Sequence, residues 1–276
     1  MAQPTAQFLR NYNNKNLLRY PASKYSSALS NSVTINSTAV DAFIVMHGSQ
    51  AGLQGGSWYP KVGATPLVET GAAPLPTYRQ QGPFGLGVLY KGNATACHRC
   101  STGSAYPITT EDFVVEILFK YVQGTNNEGL IGKFSGTNGW YLCYDSTANK
   151  SLLAVTRSTT GAQVVLTGTA SSLTSGNFYL VHFMLDRSET TAARAGRLYI
   201  NGANKGSAAM NANDGITIDQ TTSGFTLGGL AGGTLTSAST IYAASVWKQA
   251  TWFAGGAQNI TDMDAFAAAR YAALIA

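Results

Sequence analysis

Three carboxylates crowd one short stretch of this chain: Glu111, Asp112 and Glu116, in "EDFVVEILFK". Paired carboxylates can cleave a glycosidic bond, one as acid and one as base or nucleophile, when they flank it at about 5–9.5 Å. On a strand this requires alternate residues on one face. Glu111 and Asp112 are adjacent and point to opposite faces, and Glu116 lies well beyond both. The spacing supplies no catalytic pair. These acids are expected on a solvated strand face, where charged residues ordinarily sit, and the chain is expected not to be an enzyme.

"CHRC" places Cys97 and Cys100 around His98. A structural zinc site needs four ligands, usually from two such pairs, and Cys143, His47 and His182 are distant in sequence. Two small semi-apolar residues at a strand edge fit better. His182 shares a strand face with Phe178, Leu180 and Met184, so it reads as a satisfied core residue. No Ser-His-Asp constellation is evident from spacing, and no phosphate-binding loop with a Lys-Ser/Thr end is present.

Oxygen donors for calcium exist at Asp145, Asp186, Asp214 and Asp219, but calcium takes six to eight oxygens and no loop is densely acidic. No cofactor is expected, with calcium as a low-ranking candidate. Sugar binding needs an exposed aromatic platform beside hydrogen-bonding groups. Trp140 and Trp247 fall in strand patterns and read as core. Trp58-Tyr59 and Trp252-Phe253 border Gly-rich connections, and these four are the candidate carbohydrate-binding residues.

The elements that must position these residues read as β-structure. Hydrophobic residues are 45% of the 276, and charged residues only 11%, against about 25% in a typical soluble domain. In "DFVVEILFKYV", Phe113, Val115, Ile117, Phe119 and Tyr121 share one face, and Val114, Glu116, Leu118, Lys120 and Val122 the other. "GWYLCYD" and "SLLAVTR" follow as strands around the polar connection "STANK". "NFYLVHFMLDR" is apolar on both faces, which predicts a central strand. "GRLYING" begins a hairpin with Asn201-Gly202 supplying positive φ. Only "TDMDAFAAARYAALIA" reads as a helix: Thr261 stands three residues before Asp264 as in a capping box, and Met263, Phe266, Ala267, Tyr271 and Leu274 recur at helical spacing.

The net charge of +5 is unevenly placed. Arg10, Lys15, Arg19 and Lys24 all precede the first acid, Asp41, so the rest of the chain is near neutrality. Residues 1–32 have no sustained periodicity, yet carry Phe8, Leu9, Leu17, Leu18, Tyr20 and Tyr25. They read as a basic arm that docks on a partner. Basic and aromatic residues are too sparsely interleaved for a nucleic-acid platform, so a protein surface is the expected contact. No apolar run has the ~18–20 residues of a membrane span, and the opening "MAQPTAQFLRNYNNKN" lacks a secretory apolar stretch. With three cysteines and no such stretch, no disulfide framework is expected.

In order, these features resemble the laminin G-like jelly rolls of the concanavalin A-like lectin and glucanase fold. "DAFIVMHGSQ" is similar to that family's opening strand, and "GPFGLGVLYKGNA" to its Gly-rich turn and strand. "TTEDFVVEILFK" resembles the "DFTIE-x-W" strand, and "GLIGKFSGTNGWYLCYD" the hairpin after it. "NFYLVHFMLDR" and "GRLYINGANKG" look like the paired strands ending in "l-Y-v-N-G", and "FTLGG" and "IYAASVWKQA" like the closing strands. The resemblance covers about residues 33–276. It implies an all-β, two-sheet antiparallel jelly-roll sandwich; the extended N-terminal arm before Val33 is not part of the resemblance, and the short C-terminal helix read from its periodicity closes the chain. The Ser188–Ala195 loop is expected to span the gap between the sheets.

Proteins with such domains occur among bacteriophage virion components, and the low charge fits that setting. The leading expectation is a virion structural protein, decorating the head or belonging to a fibre or tail. Its sandwich would face outward, and arm residues Phe8, Leu9, Arg10, Lys15, Leu17, Leu18, Arg19, Tyr20 and Lys24 would dock on the major capsid or another virion protein. A homo-oligomer is expected, with host-surface glycans as further partners. A carbohydrate-binding or adhesion module free of any particle is the alternative, and a glycoside hydrolase the weaker one.

Overall fold

The computed structural model describes residues 32–51, 57–70, 78–90, 97–100, 102–124, 128–145, 151–157, 163–167, 173–187, 189, 195–208, 223–230 and 237–276. The arm residues from Phe8 to Lys24 lie outside them, as do Asp214 and Asp219. In chain order the strands are β1 (Ser32–Ile35), β2 (Thr38–Asp41), β3 (Ile44–Ala51), β4 (Ser57–Val62), β5 (Leu67–Thr70) and β6 (Tyr78–Gly82). Then come β7 (Gly85–Leu89), β8 (Cys97–Arg99), β9 (Asp112–Lys120), β10 (Glu128–Phe134), β11 (Gly139–Asp145) and β12 (Ser151–Arg157). The last are β13 (Gln163–Thr167), β14 (Phe178–Leu185), β15 (Gly196–Ile200), β16 (Ala203–Ala208), β17 (Thr226–Leu227) and β18 (Thr240–Gln249), followed by helix α1 (Ala257–Ile275).

The fold is an all-β antiparallel sandwich with a C-terminal helix. β1 and β2 form a separate two-stranded sheet, and hydrogen bonding runs through the other 16 strands. That path folds over on itself until its two ends, β13 and β16, touch. One face carries β3, β18, β9, β14 and β15 as neighbours, and the opposing face carries β8, β17, β10 and β11. Between them lies the main core, where Phe113, Val115 and Phe183 meet Leu130, Trp140 and Leu142.

The period-2 pattern of β9 is realised on both faces. Phe113, Val115, Ile117, Phe119 and Tyr121 enter the main core. Val114 packs with Met263, Phe266 and Ala267 of α1, and Leu118 with Leu274. The outer face is thus covered by the helix rather than by water, and this corrects the solvated setting expected for the acids. Asp112 is 1% and Glu116 0% exposed. β14 is central, between β9 and β15. The Asn201-Gly202 turn has φ of 51° and 77°, the positive pair that a tight two-residue hairpin requires.

Two expectations are corrected here. β14 and β15 are direct antiparallel partners, with Leu185 opposite Gly196, so the chain through Ser188–Ala195 joins two strands of one sheet. The helix starts at Ala257, ahead of the Thr261–Asp264 pair, with Gly256 as its N-cap at φ 72° and no side-chain cap. The Gly256 N–H instead donates to Glu189 Oε2 at 3.1 Å. A carboxylate from elsewhere in the chain therefore does the work of a local capping box.

Candidate functional site: a carboxylate and tyrosine rim

Each acid of the "EDFVVE" stretch is committed to structure. Glu111 pairs with Lys248 at 2.7 Å and accepts from the Thr109 N–H. Asp112 accepts three backbone N–H bonds, from Arg187 and Trp252 at 2.8 Å and Phe253 at 3.2 Å. Burial nevertheless pushes its carboxyl up to about 6. Glu116 takes a two-point contact from Arg270 and lies 2.7 Å from His182 Nε2. Burial opposes its ionisation, but the Arg270 charge and these hydrogen bonds hold it well below the usual carboxylate range. His182 is the buried core residue that the sequence indicated.

The aromatic platform expected from sequence is not assembled. Trp58 is 0%, Trp252 1% and Phe253 2% exposed. Trp58 alternates inward on β4 into the main core, while Trp252 and Phe253 stack on one another under α1. Of the four candidates only Tyr59 is presented to solvent, at 60%. Trp140 and Trp247 are core, as expected. Cys97 and Cys100 are buried free thiols, with burial pushing Cys100 up to about 11. Asp186 is buried and accepts from Asn259. No group of three or more His, Cys, Asp or Glu that could hold a metal is present among the described residues.

The unexplained chemistry gathers instead where β5 pairs with β8 and β8 with β17. Glu69 near the end of β5 stands opposite His98 of β8, and His98 in turn opposite Leu227 of β17. Tyr90, just after β7, has its Oη 2.8 Å from His98 Nδ1. Burial, with the nearby Cys97 and Glu69, pushes the Tyr90 phenol well above its ordinary range. The phenol and the imidazole thus form a buried hydrogen-bonded pair. The ring of Tyr90 lies so close over Gly228 that a Cβ there would sit 2.2 Å from it.

The same rim continues across the core. The Tyr90 N–H donates to Ser239 O, and Ser239 Oγ lies 3.1 Å from Tyr144 Oη. Tyr144 Oη bonds the Glu128 carboxylate, which also accepts from the Ala238 N–H. Burial raises the Glu128 carboxyl despite these donors. Tyr121 packs edge-on against Tyr144 with ring centroids 4.8 Å apart.

Within this cluster Glu69 is the anomaly. It is 9% exposed, and neither of its carboxylate oxygens has a hydrogen-bond partner among the described residues. A buried, unpaired carboxylate costs several kcal/mol, which makes Glu69 a candidate ligand-binding group. Two acceptor oxygens side by side fit two neighbouring hydroxyl donors, or a single cationic donor. Sequence reasoning missed Glu69 and Tyr90, and met His98 only as the centre of "CHRC", because their neighbourhood comes from pairing β5, β8 and β17. The one available signal was a lone acid at the end of the apolar run "PLVE".

No protein-family model matches the sequence, and no curated protein matches it. Solved structures share the fold. The binding domain of Paraclostridial Mosquitocidal Protein 1 superposes with a TM-score of 0.52 at 11% identity, over 72% of this chain and 51% of that one. Trypanosoma rangeli sialidase in complex with the inhibitor DANA gives 0.51 at 13%, over 97% and 38%. The Botulinum neurotoxin serotype D binding domain gives 0.50 at 11%, over 82% and 50%. The chain thus spans about half of each toxin domain and less of the sialidase. At these identities the likeness is one of fold.

Proposed function

We propose that this chain is a non-enzymatic recognition protein, a lectin-like sandwich that binds a glycan at the Glu69 rim and is carried on a bacteriophage particle by its N-terminal arm. One observation carries the recognition half: Glu69, buried with both oxygens unpartnered beside the Tyr90–His98 pair. A vicinal diol offers two hydroxyl donors at the spacing of two carboxylate oxygens, and it brings no charge that would have to be buried. Commitment of Glu111, Asp112 and Glu116 to structural bonds supports binding over hydrolysis.

The particle half rests on residues 1–32, whose four cations and apolar Phe8, Leu9, Leu17, Leu18 and Tyr20 suit an acidic protein shell. Copies set in such a lattice would associate by closed symmetry. Sedimentation of particles from the native source, with mass spectrometry of the pellet, tests it. Stoichiometric presence that is lost on deletion of residues 1–31 supports attachment through the arm. Absence from every particle replaces it with a free adhesion module, leaving the glycan claim to be tested by binding.

A further inference from the structure

β1 and β2 form a hairpin in which Ile35 pairs with Thr38 across Asn36 and Ser37, whose φ values are 48° and 60°. In a two-residue hairpin of this kind the pair flanking the turn exchanges both hydrogen bonds, and the next pair exchanges none. Ile35 and Val33 therefore aim their backbone groups at β2. Thr34, opposite Ala39, aims its N–H and C=O the other way. Among the described residues β1 pairs with no strand other than β2, so that edge is unpaired among them.

Thr34, with Val33, Ile35 and Asn36, lines a groove of about 450 Å³ between β1 and α1. Asp262, Ala265, Phe266, Ala269 and Arg270 form its far wall, one stripe of the helix at i, i+3, i+4, i+7 and i+8. The two alanines give the groove depth and Phe266 gives it an apolar floor. Arg270 contributes little net charge, because its guanidinium is bound to Glu116. Asp262 is different: its Oδ1 accepts from Gln258, while Oδ2 is buried without a partner among the described residues. An unpaired strand edge, an apolar floor and one unneutralised carboxylate thus share a single groove.

We propose that this groove takes an extended segment of a partner protein, which adds to β1 as a third strand through Thr34 and places a Lys or Arg against Asp262. Main-chain bonds at the edge supply affinity, and the carboxylate selects a basic residue among apolar ones. This interaction is independent of the Glu69 rim.

The test uses the full chain and a fluorescently labelled heptapeptide of alternating threonine and valine with a central arginine, read by anisotropy. A second peptide carries glutamate at the centre. The arginine peptide binds about tenfold tighter than the glutamate one, and Asp262→Asn erases that difference. Thr34→Pro removes binding of both without lowering the melting temperature, because it deletes an N–H that β2 does not use. Amide exchange at Thr34 is fast in the free chain and slowed by the peptide, a readout that needs no variant. Equal binding of the two peptides, binding that survives Thr34→Pro, or a Thr34 amide already protected in the free chain would each overturn the proposal. So would a concentration-dependent dimer that Thr34→Pro dissolves, since the occupant would then be a second copy.

Discussion

Arg270 on the helix and Glu116 on the central strand meet through two parallel contacts, Nε to Oε2 at 2.9 Å and Nη2 to Oε1 at 2.8 Å. The pair is sealed between sheet and helix, with the guanidinium 5.2 Å from the centre of the Trp247 ring and His182 Nε2 2.7 Å from Glu116 Oε2. Planar two-point geometry of this kind is what arginine provides and lysine does not. It fixes how α1 lies on the sheet, and α1 in turn forms one wall of the β1 groove.

Arg270→Ala should therefore be among the most damaging single changes. It strips the buried Glu116 carboxylate of its two-point cationic partner, which typically costs about 3–5 kcal/mol. Arg270→Lys should recover part of the loss, because one ammonium replaces one of the two contacts. Urea unfolding of the three proteins measures this. Equal stability of Arg270→Ala and the unaltered chain would mean that the pair does not hold the helix.

The pH dependence of stability has two opposing limbs. Glu111, held down to about 2, and Glu116, held lower still, stabilise the fold above their ordinary value of 4.5. That contribution drains away as pH falls below it. Asp112 runs the other way: burial raises it from 3.8 to about 6, so protonation favours the folded state and stability is gained as pH falls through that window. The urea midpoint should change little or rise between pH 6 and pH 4.5, then drop. Glu116→Gln should flatten the acid drop, and an unchanged drop would count against the assignment.

Trp58→Ala and Trp252→Ala should lower stability by about 3–5 kcal/mol each, because both rings are fully packed. Tyr59→Ala, at the exposed site, should stay within about 0.5 kcal/mol. Thermal melts decide between these core and surface roles.

Gly228→Ala should disturb the rim without touching Glu69. The residue sits at φ 73°, and the added methyl would meet the Tyr90 ring, shifting the hydroxyl that holds His98. Ligand affinity should fall while the far side of the core stays folded, which amide exchange in β14 reports. Unaltered affinity would remove Tyr90 and His98 from the site.

Local features were the ones legible from sequence. The alternation in β9 placed Phe113 and Val114 on their correct faces, and Asn201-Gly202 marked its turn, because each depends on residues a few positions apart. Features set by distant partners were not legible. The covered outer face of β9 comes from a helix far along the chain, so Glu116 looked solvated when it is fully enclosed. The start of α1 is set by Glu189, not by the nearby Thr261. Trp58 and Trp252 adjoin Gly-rich connections, yet β4 pleats one inward and α1 covers the other. Glu69 acquires meaning only when β5 is laid beside β8.

Calorimetric titration of the full chain with the glycan selected from an array, repeated on Glu69→Gln, tests the central claim most directly. The exchange keeps the shape and removes a buried charge, so the fold should be no less stable. We predict that affinity falls about 10- to 100-fold, the loss expected when a charged acceptor is removed from buried hydrogen bonds, with an equal or higher melting temperature. Full affinity in Glu69→Gln, or no glycan bound by the unaltered chain, would contradict glycan recognition at this rim.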